Sequence, residues 1–201
     1  MITTEAMVAE APRRSVLFAA VTLEESGLLG SAYMAENEVI DSHQIVAGIN
    51  MDGMLPTGPT HDMVVVGYGA SELEDILTDV LEADGRVVRP DPLPQNGYFY
   101  RSDHVSYAKI GIPMLYADGG DDMVEGGRPA GTAAAAEYTA LRYHKPQDEY
   151  NPNWDLSGMQ QNISALYEVG RRIAQSDEWP TWYEGNEFEA IRQEDLAANA
   201  Q

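Results

Sequence analysis

Apolar and polar positions follow two periods along the chain. Residues 16–21, Val-Leu-Phe-Ala-Ala-Val, form a short apolar run without helical spacing, which predicts a strand buried on both faces. It ends abruptly in Thr22 and the adjacent acids Glu24 and Glu25. Thr22 followed three residues later by Glu25 fits a capping box and predicts a helix over 26–39 with Leu28 and Leu29 on its inner side. A second buried strand is expected over 44–53, also stopping at an acid, Asp52, and a third over 63–68. Ser71 with Glu74 forms another capping box, and Leu73, Ile76, Leu77, Val80 and Leu81 recur at helical spacing until Gly85 closes the helix.

Further along, Val87-Val88 predicts a short strand, and Pro90, Pro92 and Pro94 keep the next segment extended as far as Tyr98-Phe99-Tyr100. A short helix capped by Ser102 or Asp103 precedes a strand over 111–117. Residues 118–137 are rich in glycine and alanine and lack clear periodicity, so they read as a long loop bordering a site. Leu156, Met159, Ile163, Leu166, Val169 and Ile173 share one side of an amphipathic helix within 154–175. In the tail, 176–201, Trp179, Trp182 and Phe188 are expected to lie on the body of the molecule. The pattern as a whole predicts an α/β fold, a mixed and largely parallel sheet with helices on both faces.

At 201 residues, 44% hydrophobic and 22% charged, the chain suits one globular domain spanning 1–201 behind a loose lead-in at 1–12. Its 33 acidic against 12 basic residues give a formal charge of −21, which argues against a phosphate backbone or an anionic membrane as partner. No apolar run approaches the roughly 18 to 20 residues of a membrane span, and the first residues lack the layout of a signal peptide. There is no cysteine, so any metal would be held by carboxylates and imidazoles.

The acids at strand ends admit two readings each. Glu24 and Glu25 either start a helix or divide labour as general base and metal ligand, since ligands gather where the strands of an open sheet end. Asp52 belongs either to an Asp-Gly turn or to a site. His144 is either a surface histidine or a ligand, and the Asp103-His104 pair either a helix cap or part of a cleft.

Taken in order, Glu24-Glu25, Asp52 after Asn50-Met51, Arg101-Ser102-Asp103-His104 with Gly111-Ile112-Pro113, and Tyr143-His144-Lys145-Pro146-Gln147-Asp148 resemble the co-catalytic zinc exopeptidases of clan MH, metallopeptidase family 28. The resemblance covers residues 13 to about 175. It implies hydrolysis of N-terminal peptide bonds at a site of two zinc ions, with a peptide as substrate. Glu24 is similar to the family's general base, Glu25 and His144 to ligands of one zinc, and Asp52 to a ligand of the other. Arg101, Asp103 and His104 resemble residues near the substrate cleft, and Asp148 either orients the His144 loop or caps a helix. Borderline zinc accepts imidazole and carboxylate, lowers the pKa of its water to about 7 and polarises a carbonyl, while an unligated carboxylate takes the proton.

The family's His-x-Asp motif and Asp-Asn pair, which supply a histidine and the carboxylate bridging both metals, have no counterpart before Glu24, where the only acids are Glu5 and Glu10. The expectation is therefore a C-terminal part of such a catalytic domain, with at most weak zinc binding. An inactive fragment or binding module of the same fold, and glutaminyl cyclase, dipeptidase or carboxypeptidase chemistry, are the alternatives. Members of the family are often exported; compartment and oligomeric state have no signature here.

Overall fold

The computed structural model describes residues 11–37 and 39–199; most of the expected lead-in, with Glu5 and Glu10, lies outside them. Among the described residues six helices and four strands follow in chain order: α1 (Leu29–Glu36), β1 (Gly48–Asn50), β2 (Asp62–Val65), α2 (Leu73–Ala83), β3 (Val87–Pro90), α3 (His104–Ala108), β4 (Met114–Gly119), α4 (Gly127–Leu141), α5 (Ser157–Gln175) and α6 (Glu189–Ala198). Short 3-10 turns lie at Glu24–Ser26, Ser42–Gln44, Pro94–Asn96 and Tyr98–Arg101.

The strands form one sheet in the order β1-β4-β2-β3. β4 is its centre, parallel to β1 with Asn50 opposite Tyr116, and antiparallel to β2 with Val65 opposite Ala117. β3 runs parallel to β2 on the far side. The sheet is thus mixed and largely parallel.

Side-chain alternation along β4 divides the core between two faces. Leu115 and Ala117, with Met63 and Val65 of β2, pack against Leu73, Leu77 and Leu81 of α2 and Ala165, Leu166 and Val169 of α5. Full burial of a leucine such as Leu77 contributes about 1.5–3 kcal/mol. Met114 points the other way and joins Ala108 and Ile112, which Trp182 and Phe188 of the tail cover. The Trp182 indole N–H donates to the Gly111 carbonyl at 2.7 Å. Arg192 of α6 donates to the carbonyls of Ser42 and Ile45. Trp179, expected on the body, stays partly exposed, with the guanidinium groups of Arg14 and Arg192 at 5.7 and 5.3 Å from its ring.

Four expectations need correction. Residues 16–21 form no strand: Val16, Leu17 and Phe18 are 38%, 57% and 47% exposed. An apolar run becomes a strand only where its backbone finds a partner, and among the described residues no strand pairs with this one. The segment is held instead at its start, where Arg14 donates to the carbonyls of Ile173 and Glu178 beside the end of α5.

The capping box at Thr22 and Glu25 does not form either. Leu23 and Leu28 take left-handed backbone angles (φ 58° and 60°) without a side-chain cap, and Leu29 is exposed. The reason lies in Gly30, whose N–H donates to the Thr22 carbonyl at 2.9 Å and whose missing Cβ leaves room for the Thr22 backbone. Thr22 therefore meets the first turn of α1 through its backbone carbonyl rather than through its side chain.

Residues 118–137 are not a loop throughout, because α4 occupies Gly127–Leu141. Alanine's high helix propensity outweighs the glycines, two of which, Gly126 and Gly127, absorb the left-handed turn at its start. Lastly, neither Ser102 nor Asp103 caps α3.

At α2 half of the expected capping box is present. The buried Glu74 carboxylate accepts backbone N–H groups of Gly69 (2.8 Å), Ala70 (2.7 Å) and Ser71 (3.4 Å), while Ser71 contributes no cap of its own.

Candidate active site

The parallel pair β1–β4 brings two strand ends to the same edge of the sheet, and the candidate residues gather there. Asn50, the last residue of β1, donates to the Ser102 hydroxyl at 2.8 Å, and Ser102 donates to Asp52 Oδ2 at 2.7 Å. Asp52 is thus steadied by the residue at the mouth of α3, a role for Ser102 that its position as an expected cap concealed. The signal available in the sequence was the spacing of Asn50 and Asp52, two apart at the end of an apolar run.

Glu24 and Glu25 lie in the 3-10 turn facing this edge. The chain after α4 folds back so that His144 Nε2 stands 2.9 Å from Glu25 Oε1, an ion-pair distance when the imidazole is protonated. His144 itself has a left-handed backbone (φ 55°), and its ring stacks on Tyr143 with centroids 3.9 Å apart. Partial burial raises the pKa of Glu24, and the neighbouring charges of Asp52, Glu25 and Asp103 raise it further, with His144 acting in the opposite sense. Glu24, Glu25, Asp52, Asp103 and His144 therefore share one electrostatic neighbourhood.

The remaining candidates divide. Asp103 borders the cluster, its Oδ1 buried and without a hydrogen-bond partner. Arg101 lies over the Tyr98 ring at 5.8 Å on the rim. His104 is fully buried, wedged between the rings of Phe99 (4.6 Å) and Tyr116 (5.1 Å), with neither ring nitrogen hydrogen-bonded; burial lowers its pKa to about 4. It sits there as a neutral ring. Asp148 accepts the Tyr138 hydroxyl at 2.8 Å, so its bond reaches back to α4 rather than to His144.

Under the cluster, β4 contributes a group that sequence reasoning missed. Asp118 is partly buried with its Oδ1 sealed from solvent. Burial and the charge of Asp52 push its pKa up to about 6, partly offset by a hydrogen bond from Tyr116. Its only sequence signal was an acid directly after an apolar strand, which the neighbouring glycines made look like loop.

Zinc is the group that the resemblance implies, and the donors present fit it in kind but not in arrangement. Glu25 and His144 are turned toward each other, and Asp52 is engaged with Ser102. Among the described residues no three His, Asp or Glu side chains form a group that could hold a metal ion.

The mixed sheet with an acidic cluster at its strand ends defines the class of the protein, an α/β domain. The fold matches a solved aminopeptidase from Aneurinibacillus sp. strain AM-1, with a TM-score of 0.51 and 18% identity, over 79% of this chain and 33% of that one. The chain thus spans about a third of the length of that protein. The model of peptidase family M28 matches residues 1–168, and the chain belongs to that family. A comparison with curated proteins finds no match.

Proposed function

We propose that this chain carries part of the site of a metal-dependent exopeptidase that hydrolyses N-terminal peptide bonds. The observation that carries the reading is the 2.9 Å approach of His144 to Glu25 across 119 positions of sequence, beside Asp52 and Glu24. In this reading Glu24 is the general base. Its raised pKa brings it closer to neutrality, where a carboxylate takes a proton from attacking water and returns it to the leaving amine most effectively. Glu25 and His144 belong to one zinc position and Asp52 to the other, with Arg101 and Asp103 beside the cleft and His104 beneath it.

Three donors divided over two metal positions hold zinc weakly, so the 201-residue chain alone is expected to be without turnover. Purified chain assayed on aminoacyl-anilide substrates should match the metal-free control. Turnover that chelator abolishes and zinc restores would overturn this expectation.

The division of labour is tested in a longer protein whose site is complete. There Glu24→Gln removes most turnover and keeps zinc, whereas Glu25→Gln loses both; equal zinc content in the two variants refutes the assignment. A second reading, a binding module of the same fold without catalysis, is favoured by one observation: Glu25 and His144 are satisfied by each other. Retained substrate binding with no turnover in that longer protein would establish it.

A further inference from the structure

The sheet carries a row of side chains away from the acidic edge. Its register sets Asp118 of β4 opposite Val64 of β2, and Val64 opposite Arg89 of β3. Cross-strand partners share a face. The three therefore stand side by side on the face turned away from α2 and α5, toward which Met63 and Val65 of β2 point instead. Asp118 feels the charge of Asp52 and so borders the acidic site. Val64 and Arg89 are half-buried, open enough to be touched from solvent.

Arg89 brings an unspent cation to this row. Among the described residues its guanidinium makes no hydrogen bond, and its one ion-pair partner is Asp62, with Nε 3.8 Å from Oδ2. The Arg89 side chain is 42% exposed, whereas that of Asp62 is sealed from solvent. The other acids at hand, Asp121 and Asp122, are taken by Arg128 at 3.0 and 3.7 Å. Arg128 also stands 3.8 Å from Asp62, so Asp62 is shared between two cations. The planar fork of an arginine left in this state suits a carboxylate, which it can hold through two N–H groups at once.

Strands lie about 4.8 Å apart, and the contact with Asp62 draws the Arg89 guanidinium back toward β2. Its head thus falls one to two spacings, roughly 5 to 10 Å, from the Asp118 position. An extended peptide advances about 3.3 to 3.6 Å per residue, so about two or three residues beyond the first would reach it. We propose that Arg89 receives the C-terminal carboxylate of a short peptide, of about three or four residues, whose free N-terminus occupies the acidic site and whose middle lies over Val64. Arg89 has this role only if the site takes a peptide N-terminus, as in the exopeptidase reading.

Binding tests this without turnover. The chain is titrated with Leu-Gly-Gly, with its C-terminal amide and with its N-acetyl derivative, followed by nuclear magnetic resonance of the backbone amides of β2 and β3. Leu-Gly-Gly should bind about three- to tenfold more tightly than the amide, the discount for a half-exposed pair included. Arg89→Gln should abolish that preference and Arg89→Lys should keep part of it. Equal affinity of acid and amide in the parent, a comparison that needs no variant to fold, would overturn the proposal. So would a preference that survives Arg89→Gln, or no binding of any of the peptides. The exopeptidase reading fails separately: N-acetyl peptide binding as well as the free amine, while acid still outbinds amide, refutes N-terminal recognition and leaves the hold of Arg89 on the carboxylate standing.

Discussion

Replacing Asp118 by asparagine removes an ionisable group from beneath the site with almost no change of shape. In the folded chain the Asp118 pKa stands at about 6 against an ordinary 3.8, raised first by burial and then by the charge of Asp52. At 1.36 kcal/mol per tenfold change, the gap corresponds to roughly 3 kcal/mol. The folded value is raised, so the contribution to stability is fully present below about pH 4 and lost as pH rises through 6. The substituted amide does not titrate. The stability difference between Asp118→Asn and the parent should therefore grow in the variant's favour by up to about 3 kcal/mol from pH 4 to pH 8, and the growth should flatten above pH 7. Urea unfolding followed by tryptophan fluorescence at five pH values measures it. Subtracting parent from variant cancels titrations common to both, and any fixed effect of the amide appears as a constant offset. Two stability curves that run parallel from pH 4 to pH 8 would refute the reasoning.

Three other perturbations follow from the packing. Glu74→Ala leaves the N–H groups of Gly69, Ala70 and Ser71 without their acceptor and should cost about 2–4 kcal/mol in urea unfolding; a loss under about 0.5 kcal/mol would show that water replaces the carboxylate. Gly158→Ala drives a methyl into the Gly58 carbonyl and should lower stability by about 1–3 kcal/mol, read as a fall in the denaturation midpoint. His104 has a lowered folded pKa of about 4, so the unfolded chain takes up the proton first as pH falls below 6.5. Stability should drop by roughly 3 kcal/mol between pH 6.5 and 4 on this account, and His104→Leu should flatten that limb; an unchanged pH dependence in the variant would remove His104 as its source.

Where periodicity and burial coincided, the sequence was a good guide. Leu73, Leu77 and Leu81 define α2, Leu166 and Val169 define α5, and the apolar strand before Asp118 became the centre of the sheet, because in each case one face had a core to pack against. Residues 16–21 misled for the opposite reason: hydrophobicity predicts a strand, but hydrogen-bonded neighbours make one. The capping motif at Thr22 misled because a glycine eight positions on lets the Thr22 backbone carbonyl, not its side chain, meet the first turn of the helix. The motif residues Glu24, Glu25, Asp52, Asp103 and His144 come together in the fold, but the motifs carried no sign of their hydrogen-bond partners. The Asn50–Ser102–Asp52 chain joins the end of β1 to the mouth of α3, a contact across some fifty positions that no local pattern encodes.

The strand order also dictates a timetable. Among the described strands β4 is the last to be synthesised, yet it alone joins β1 to the β2–β3 pair. Among the described strands, a nascent chain ending before residue 114 offers β1 no partner and holds β2–β3 as a two-stranded fragment, which is at best marginally stable. The described strands can join into one sheet only when residues 114–119 have left the ribosome; α2 is then at hand to cover part of the face formed by Leu115 and Ala117, and the rest waits for α5. Until α5 emerges, the part of that apolar face not covered by α2 stays open to aggregation or to a chaperone. Nascent chains halted before residue 114, after 119 and after 175 should gain protease resistance in two steps, at the second and third lengths; resistance already present at the first would contradict this order.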